Sequence, residues 1–292
     1  MRSRWIGPAL VIDAPAKLNL HLSVLGRRPD GYHDLETVMA SIGLYDTLIF
    51  KPQDENVELI IDGLGELAAD DSNLVLRAAR LLCAEHGVRR GARIHLHKQI
   101  PIQAGLGGGS SNAAAALVGL NQLWQLGLPS AELHRLAAML GSDVNFFLDS
   151  APLALCHGRG EVIEGRPLRG PLWFVVAKPD VGLSTAAVFR QLDVSTCGRT
   201  ASTDLLNACE TGDAGLIGRL LINDLEQPSR QLSAAIGTVL DQLNGAALHG
   251  VRMTGSGSAC FGIASSRFHA DRVARRLRRA GAGEVFVVRT AV

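Results

Sequence analysis

The sequence predicts an α+β protein of two domains, and three observations carry that reading. A chain of 292 residues is too long for one small hydrophobic core. Its first 150 residues pass from strand-like segments to helical ones. Beyond about residue 150 the mixture starts again, with no strict alternation of strand and helix that would signal a parallel sheet. The join falls near Ser150–Glu161, with domains expected over residues 1–158 and 159–292.

The elements follow in order. Residues 17–24 alternate, with Leu18, Leu20, Leu22 and Val24 on one face and Lys17, Asn19, His21 and Ser23 on the other, which is the period of a strand. Arg28-Pro29-Asp30-Gly31 ends it as a turn. Further strands are expected at Thr47–Phe50, Val57–Ile61 and Ala92–His97. Helices are expected at Asn73–Glu85, with Ser72 or Asn73 as cap, at Asn112–Leu126, which is apolar nearly all round, and at Ser130–Leu140, with Ser130 as cap and Gly141 past its end. In the second half, Trp173–Ala177, Cys260–Ala264 and Glu284–Arg289 read as strands. Gly215–Leu221, Leu232–Leu243 and the basic Arg267–Ala280 read as helices.

Composition excludes several classes of function. A hydrophobic content of 47% with 20% charged residues is too apolar for disorder. A net charge of +1 supplies no field to recruit nucleic acid or an anionic membrane, so an anionic ligand needs a local site. The five cysteines are widely spaced and form no C-x-x-C pair, which argues against a disulfide framework or a zinc site and for a reducing cytoplasm. Arg2 and Arg4 precede an apolar stretch, but Pro8 and Asp13 interrupt it, so no signal peptide is expected. The uncharged run Pro101–Ala131 carries too many polar residues for a membrane span, and a soluble protein is expected.

The strongest chemical feature is Gly105-Leu106-Gly107-Gly108-Gly109-Ser110-Ser111, which runs directly into a helix. Glycines let backbone amides approach an anion, the helix adds unpaired N–H groups, and the serines add hydroxyls. It is not a P-loop, since no Gly-Lys-Ser/Thr occurs, and Ser110 breaks the dinucleotide fingerprint. Asp143, in Gly141-Ser142-Asp143-Val144, is a candidate acid or base, although an aspartate there more often serves a turn. Lys17 shares a strand face with Asn19 and His21, a face that either meets solvent or lines a site. Gly31-Tyr32-His33 offers rings beside a turn, suited to a planar group or to packing. Thr254-Gly255-Ser256-Gly257-Ser258 reads as a second glycine-rich turn. The arginines of Arg272–Arg279 read as a solvated helix face, and His95-x-His97 as strand alternation rather than a metal site.

Taken together and in this order, Pro15-Ala16-Lys17-Leu18-Asn19-Leu20, Arg28-Pro29-Asp30-Gly31-Tyr32-His33, Gly105–Ser111, Gly-Ser-Asp143-Val and Gly255–Ser258 resemble the galactokinase–homoserine kinase–mevalonate kinase–phosphomevalonate kinase superfamily. The resemblance covers Ala14 to Gly262. Pro-Ala-Lys-Leu-Asn-Leu with Asp-Gly-Tyr-His is similar to the branch acting on a cytidine-diphosphate-linked methylerythritol in non-mevalonate isoprenoid synthesis. It implies a two-domain small-molecule kinase fold with the active site in the cleft between domains. The implied reaction is ATP- and Mg²⁺-dependent phosphorylation of the C2 hydroxyl of that substrate. Asp143 would be the catalytic acid–base and Lys17 its partner. Asn19 and His33 would be polar substrate contacts, Tyr32 and Phe189 would sandwich the cytosine, and Thr185 would lie in the same substrate site. ATP would lie along Pro101, Ile102, Gln103, Ala104, Gly105, Leu106, Gly107, Gly108, Gly109, Ser110 and Ser111, with Lys98 near the nucleotide. The metal ligands stay open between Ser110, Ser111 and the phosphates with water. A monomer or weak homodimer, without nucleic-acid or membrane partners, is expected. Two departures stand out: Asn145 occupies a position where the family usually has proline, and Phe189 rests on a looser local match. The alternatives are a kinase of the same superfamily for another alcohol, such as mevalonate or homoserine, and a non-catalytic nucleotide-binding protein.

Overall fold

A computed structural model describes residues 1–65, 67–197 and 201–291. The chain folds into two compact units, neither contiguous in sequence: Met1–Ala16 with Leu44–Ile102 and Gly107–Ser150, and Lys17–Gly43 with Gln103–Leu106 and Ala151–Val292.

In the first unit, strand Arg2–Ile6 pairs antiparallel with the opening of strand Ala9–Arg27. The later part of strand His33–Gln53 pairs antiparallel with Gly91–Lys98, which pairs parallel with Val57–Gly63. Among the described residues four helices complete the unit, Leu74–His86, Gly108–Leu123, Ser130–Leu140 and Val144–Asp149. The first is capped by Asn73, whose side chain accepts the Val75 N–H at 3.0 Å, and is closed by left-handed Gly87. Ser130, expected as a cap, is instead the first helical residue, and Pro129 precedes it. Helix Gly108–Leu123 buries ten of its sixteen residues, so it forms the centre of the unit. Its Gly119 faces Phe50 so closely that a β-carbon there would lie 2.6 Å from the ring.

In the second unit, strand Ala9–Arg27 pairs parallel at His21 and Leu22 with Ile222–Asn223. The early part of His33–Gln53 pairs with Leu153–Gly158, which in turn pairs with Val162–Gly165. A separate antiparallel sheet has the order Val251–Met253, Cys260–Ala264, Trp173–Lys178, Glu284–Arg289. Helices Ala234–Asn244 and Arg267–Arg279 cover it, and Val175, Ala177, Leu240, Leu243, Val273, Leu277 and Val285 share its core. The basic helix has the expected buried stripe, but two of its arginines bond backbone carbonyls: Arg276 to Gly245 at 2.7 Å and Arg278 to Val285 at 2.6 Å.

The linear boundary expected after residue 158 therefore differs from the division observed. Leu153–Gly158 zips onto Leu35–Ala40 and so belongs with the second unit. The two long strands Ala9–Arg27 and His33–Gln53 each change unit part-way along, which no cut at one residue reproduces. Among the described residues no helix is long and apolar enough to cross a membrane, and all five cysteines are free. Burial raises the thiols of Cys209, to about 12, and of Cys260.

Candidate active site

The site-bearing part of the second unit begins on the strand that alternates in sequence. Both of its faces are buried: Lys17, Asn19, His21 and Ser23 are as enclosed as the leucines opposite. A lysine ammonium is kept away from water only where polar groups receive it. Lys17 Nζ donates to Asn19 Oδ1. Asn19 Nδ2 donates to Thr37 Oγ1 at 2.8 Å, and that hydroxyl passes its proton to the His21 carbonyl at 2.6 Å. The Asn19 amide is thus oriented from both ends.

This strand is fastened to two loops of the same unit. The Lys17 N–H donates to the Leu106 carbonyl at 3.0 Å. Ser258 and Ala259 N–H groups bond the carbonyls of Gln103 and Ala104 at 3.3 and 3.1 Å. Gly105 has φ +71°, and a β-carbon there would come within 2.1 Å of the Thr254 carbonyl oxygen, so only glycine lets the two loops lie this close. A β-carbon on Gly255 would lie 3.3 Å from Lys17 Nζ, which makes that glycine a wall of the ammonium's site. Asn223 braces the turn from behind: its Nδ2 donates to the carbonyls of Met253 and Gly255 at 2.7 and 2.9 Å.

The same unit carries the rings. His33 and Phe189 stack with centroids 4.8 Å apart and planes 24° from parallel. The Tyr32 ring is covered instead by the Arg159 guanidinium, 5.0 Å from its centroid. The ring paired with Phe189 is therefore His33, and Tyr32 is over half exposed. Partial burial, and then the charge of Arg27, lower the His33 pKa and favour neutral imidazole. Thr185 shares a 2.8 Å hydroxyl contact with Ser256 on the glycine-rich turn.

The first unit holds Gly107–Ser111, Lys98 and Asp143. Gly107, at φ +71°, opens helix Gly108–Leu123 without any side-chain cap. Two polar atoms near the start of this helix, Ser111 Oγ and Asn112 Oδ1, are buried and have no hydrogen-bond partner among the described residues. A buried hydroxyl and amide oxygen left this way, on a helix start, fit a phosphate and a hard cation. Lys98 is buried and ion-paired with Asp46, whose carboxylate also accepts the Gln99 and Ile100 N–H groups at 2.7 and 2.9 Å. Its Nζ stands 3.2 Å from where a Gly108 β-carbon would be, at the start of the glycine helix.

Asp143 sits in a turn closed by the Val144 N–H bonding the Gly141 carbonyl at 3.2 Å. Its backbone (φ −82°, ψ −7°) is right-handed helical, as the third residue of such a turn requires. Asn145, the departure from proline, is buried on the helix that Asp143 introduces, and its Oδ1 meets His134 Nδ1 at 3.2 Å. His134 Nε2 also pairs with Asp149 at 2.8 Å, so the two helices flanking the Asp143 turn are pinned to each other. His95 and His97 both bond Asp62, and among the described residues no cluster of three or more His, Cys, Asp or Glu side chains could hold a metal.

Residues 73–152 match the GHMP kinases N terminal domain and residues 205–283 the GHMP kinases C terminal. A 4-diphosphocytidyl-2-C-methyl-D-erythritol kinase of Shouchella clausii is 40% identical over 95% of this chain and 93% of its own length. One from Symbiobacterium thermophilum is 41% identical over 96% and 99%. The chain belongs to the 4-diphosphocytidyl-2-C-methyl-D-erythritol kinase family. It is an ATP-dependent kinase. The crystal structure of a 4-(cytidine 5'-diphospho)-2C-methyl-D-erythritol kinase superposes with a TM-score of 0.83 at 35% identity, covering 97% of this chain and all of that one. L. major mevalonate kinase, at 18% identity and a TM-score of 0.74 over 99% and 98% of the chains, shares the fold.

Within that family, the structure brings Lys17, Asn19 and Gln103–Leu106 together in one unit, and Lys98 with Gly107–Ser111 in the other. Sequence reasoning missed Thr37, Asp46, Asn223 and Thr254. Only Asn223 and Thr254 left a trace, in the family-like Asn223–Glu226 stretch and the second glycine-rich turn.

Proposed function

We propose that the protein transfers the γ-phosphoryl group of ATP to the C2 hydroxyl of 4-diphosphocytidyl-2-C-methyl-D-erythritol, giving the 2-phosphate and ADP. The observation carrying this choice of substrate is the ring set Tyr32, His33 and Phe189 in the same unit as Lys17, because a planar base needs such rings and a small acyclic alcohol does not. The names borne by relatives across 95% of the chain support it.

In this reading Asp143 accepts the hydroxyl proton as the substrate oxygen bonds to the γ-phosphorus and the bond to the ADP oxygen breaks. The transition state is loose, so orientation and charge neutralisation outweigh base strength. Lys17, its ammonium oriented through Asn19 before substrate arrives, supplies positive charge to the reacting oxygens. Backbone amides of Gly105–Ser111 and the Ser111 hydroxyl receive the phosphates, and Lys98 supports the helix start beside them. Mg²⁺ would be held by Ser111 Oγ, Asn112 Oδ1 and phosphate oxygens, and would neutralise phosphate charge. Neutral His33 gives the base one hydrogen-bond donor and one acceptor, and Tyr32 and Phe189 give it stacking area. We place the enzyme in the cytoplasm, a compartment its five free cysteines suit, and expect a monomer or weak homodimer.

A coupled ADP-release assay tests the substrate. Turnover with the cytidyl compound, and none with mevalonate or homoserine, is the expected result; phosphorylation of mevalonate instead would overturn it. Replacing Phe189 by alanine is expected to raise KM for the cytidyl substrate roughly tenfold and leave KM for ATP within twofold. The His33 pKa is lowered, so the neutral ring persists through neutral pH and protonates only below the usual imidazole range near 6.5. The profile of kcat/KM for the cytidyl substrate should accordingly be flat from about pH 7 to 8 and fall on an acid limb below about 6.5, and His33→Gln should abolish that limb.

A further inference from the structure

We propose that Thr254 is a positioning residue for the Lys17 ammonium, acting through Asn19, a role that rests on the catalytic reading of Lys17 above. Thr254 lies on the second glycine-rich turn and its side chain is fully buried. Its hydroxyl accepts the Asn19 backbone N–H at 3.0 Å. The hydroxyl proton points to two acceptors, Asn19 Oδ1 at 3.2 Å and the Gly105 carbonyl at 3.3 Å. One hydroxyl thus joins the strand that carries Lys17 to the loop that leads into the glycine-rich segment, both within the second unit.

The consequence for Lys17 follows from the inventory of donors. Asn19 Oδ1 receives Lys17 Nζ and the Thr254 hydroxyl together. Without the hydroxyl, the buried Asn19 N–H loses its acceptor and the Asn19 oxygen loses one of two donors. The strand then has reason to shift by a few tenths of an ångström, and the ammonium moves with the amide that receives it. Thr254 also sits beside Gly255, the wall of the ammonium's site, and its turn is braced by Asn223. The residue touches neither substrate nor phosphate in this account; it acts only through Asn19 and Gly105.

The test compares Thr254→Val, which keeps the shape and removes the hydroxyl, with Thr254→Ser, which keeps the hydroxyl. T254V is expected to lower kcat about tenfold with both KM values within twofold, and T254S to restore kcat to within twofold of the parent. The same substitution in a Lys17→Ala background should change residual turnover less than twofold, because the group being positioned is gone. A folded T254V with normal kcat, a T254S as impaired as T254V, or an equal tenfold loss in the K17A background overturns the proposal. So does a T254V that fails to fold together with a Thr254→Ala that also fails, since the hydroxyl would then serve the fold alone. Near-normal turnover by K17A itself would instead refute the reading of Lys17, which separates the two failures.

Discussion

Asp143→Asn is expected to lower kcat between about a hundredfold and ten-thousandfold, the range a positioned general base contributes. The substitution keeps size and shape but exchanges one acceptor oxygen for a donor NH2 and removes the ability to take up a proton at neutral pH. Binding should survive it. The glycine segment, Lys98 and the rings are separate elements from the Gly141–Val144 turn, so calorimetry should give an ATP affinity within about twofold of the parent. The helix start should be unaffected, because Asp143 makes no capping bond to the helix it precedes. Near-normal turnover by D143N would mean that another group takes the proton.

The second large effect concerns Asp46, which sequence reading passed over. Asp46→Ala would remove the acceptor of three donors at once: the Lys98 ammonium and the N–H groups of Gln99 and Ile100. Both side chains of the pair are enclosed, so Lys98 would be left as an uncompensated buried cation. Breaking such a pair costs about 3–5 kcal/mol. For a protein of this size, that corresponds to a fall in Tm of roughly 5–8 °C. The paired change Asp46→Ala with Lys98→Met should recover a good part of the loss, because it removes the stranded charge along with its partner. Thermal melts of both variants check this; a single D46A variant within about 2 °C of the parent would show that the pair carries little stability.

How much of this was legible in the sequence depended on range. Strands Cys260–Ala264 and Glu284–Arg289 and helix Ser130–Leu140 appear with the limits expected, because each is written in its own periodicity. Short helices such as Val144–Asp149, Thr185–Gln191 and Glu226–Leu232 escaped, since two turns or fewer give too few repeats to reveal a face. The alternation of residues 17–24 identified a strand but left open whether its polar face meets solvent or lines a site. Period two separates two faces without saying whether solvent lies beyond either, and here Thr37 and Thr254, from positions distant in sequence, enclose the polar one. Asp46 was invisible, and the bonds of Thr254 could not be read from its glycine-rich turn, for the same reason, as their partners lie 52 and 235 residues away. Glycine-rich segments were easiest to read, because their chemistry depends on the backbone, which local composition dictates.

The contact between His33 and Phe189 bears on how the proposed complex forms. With the base stacked on Phe189 and bonded at its edge by His33, the imidazole leaves the ring it now covers, and the mutual attraction of the pair, worth about 0.5–1.5 kcal/mol, is given up. In that proposed arrangement the base recovers the loss through its own stacking on Phe189 and its hydrogen bonds to the freed imidazole. The unliganded pair would then act as an internal competitor that only a ring able to replace the imidazole displaces.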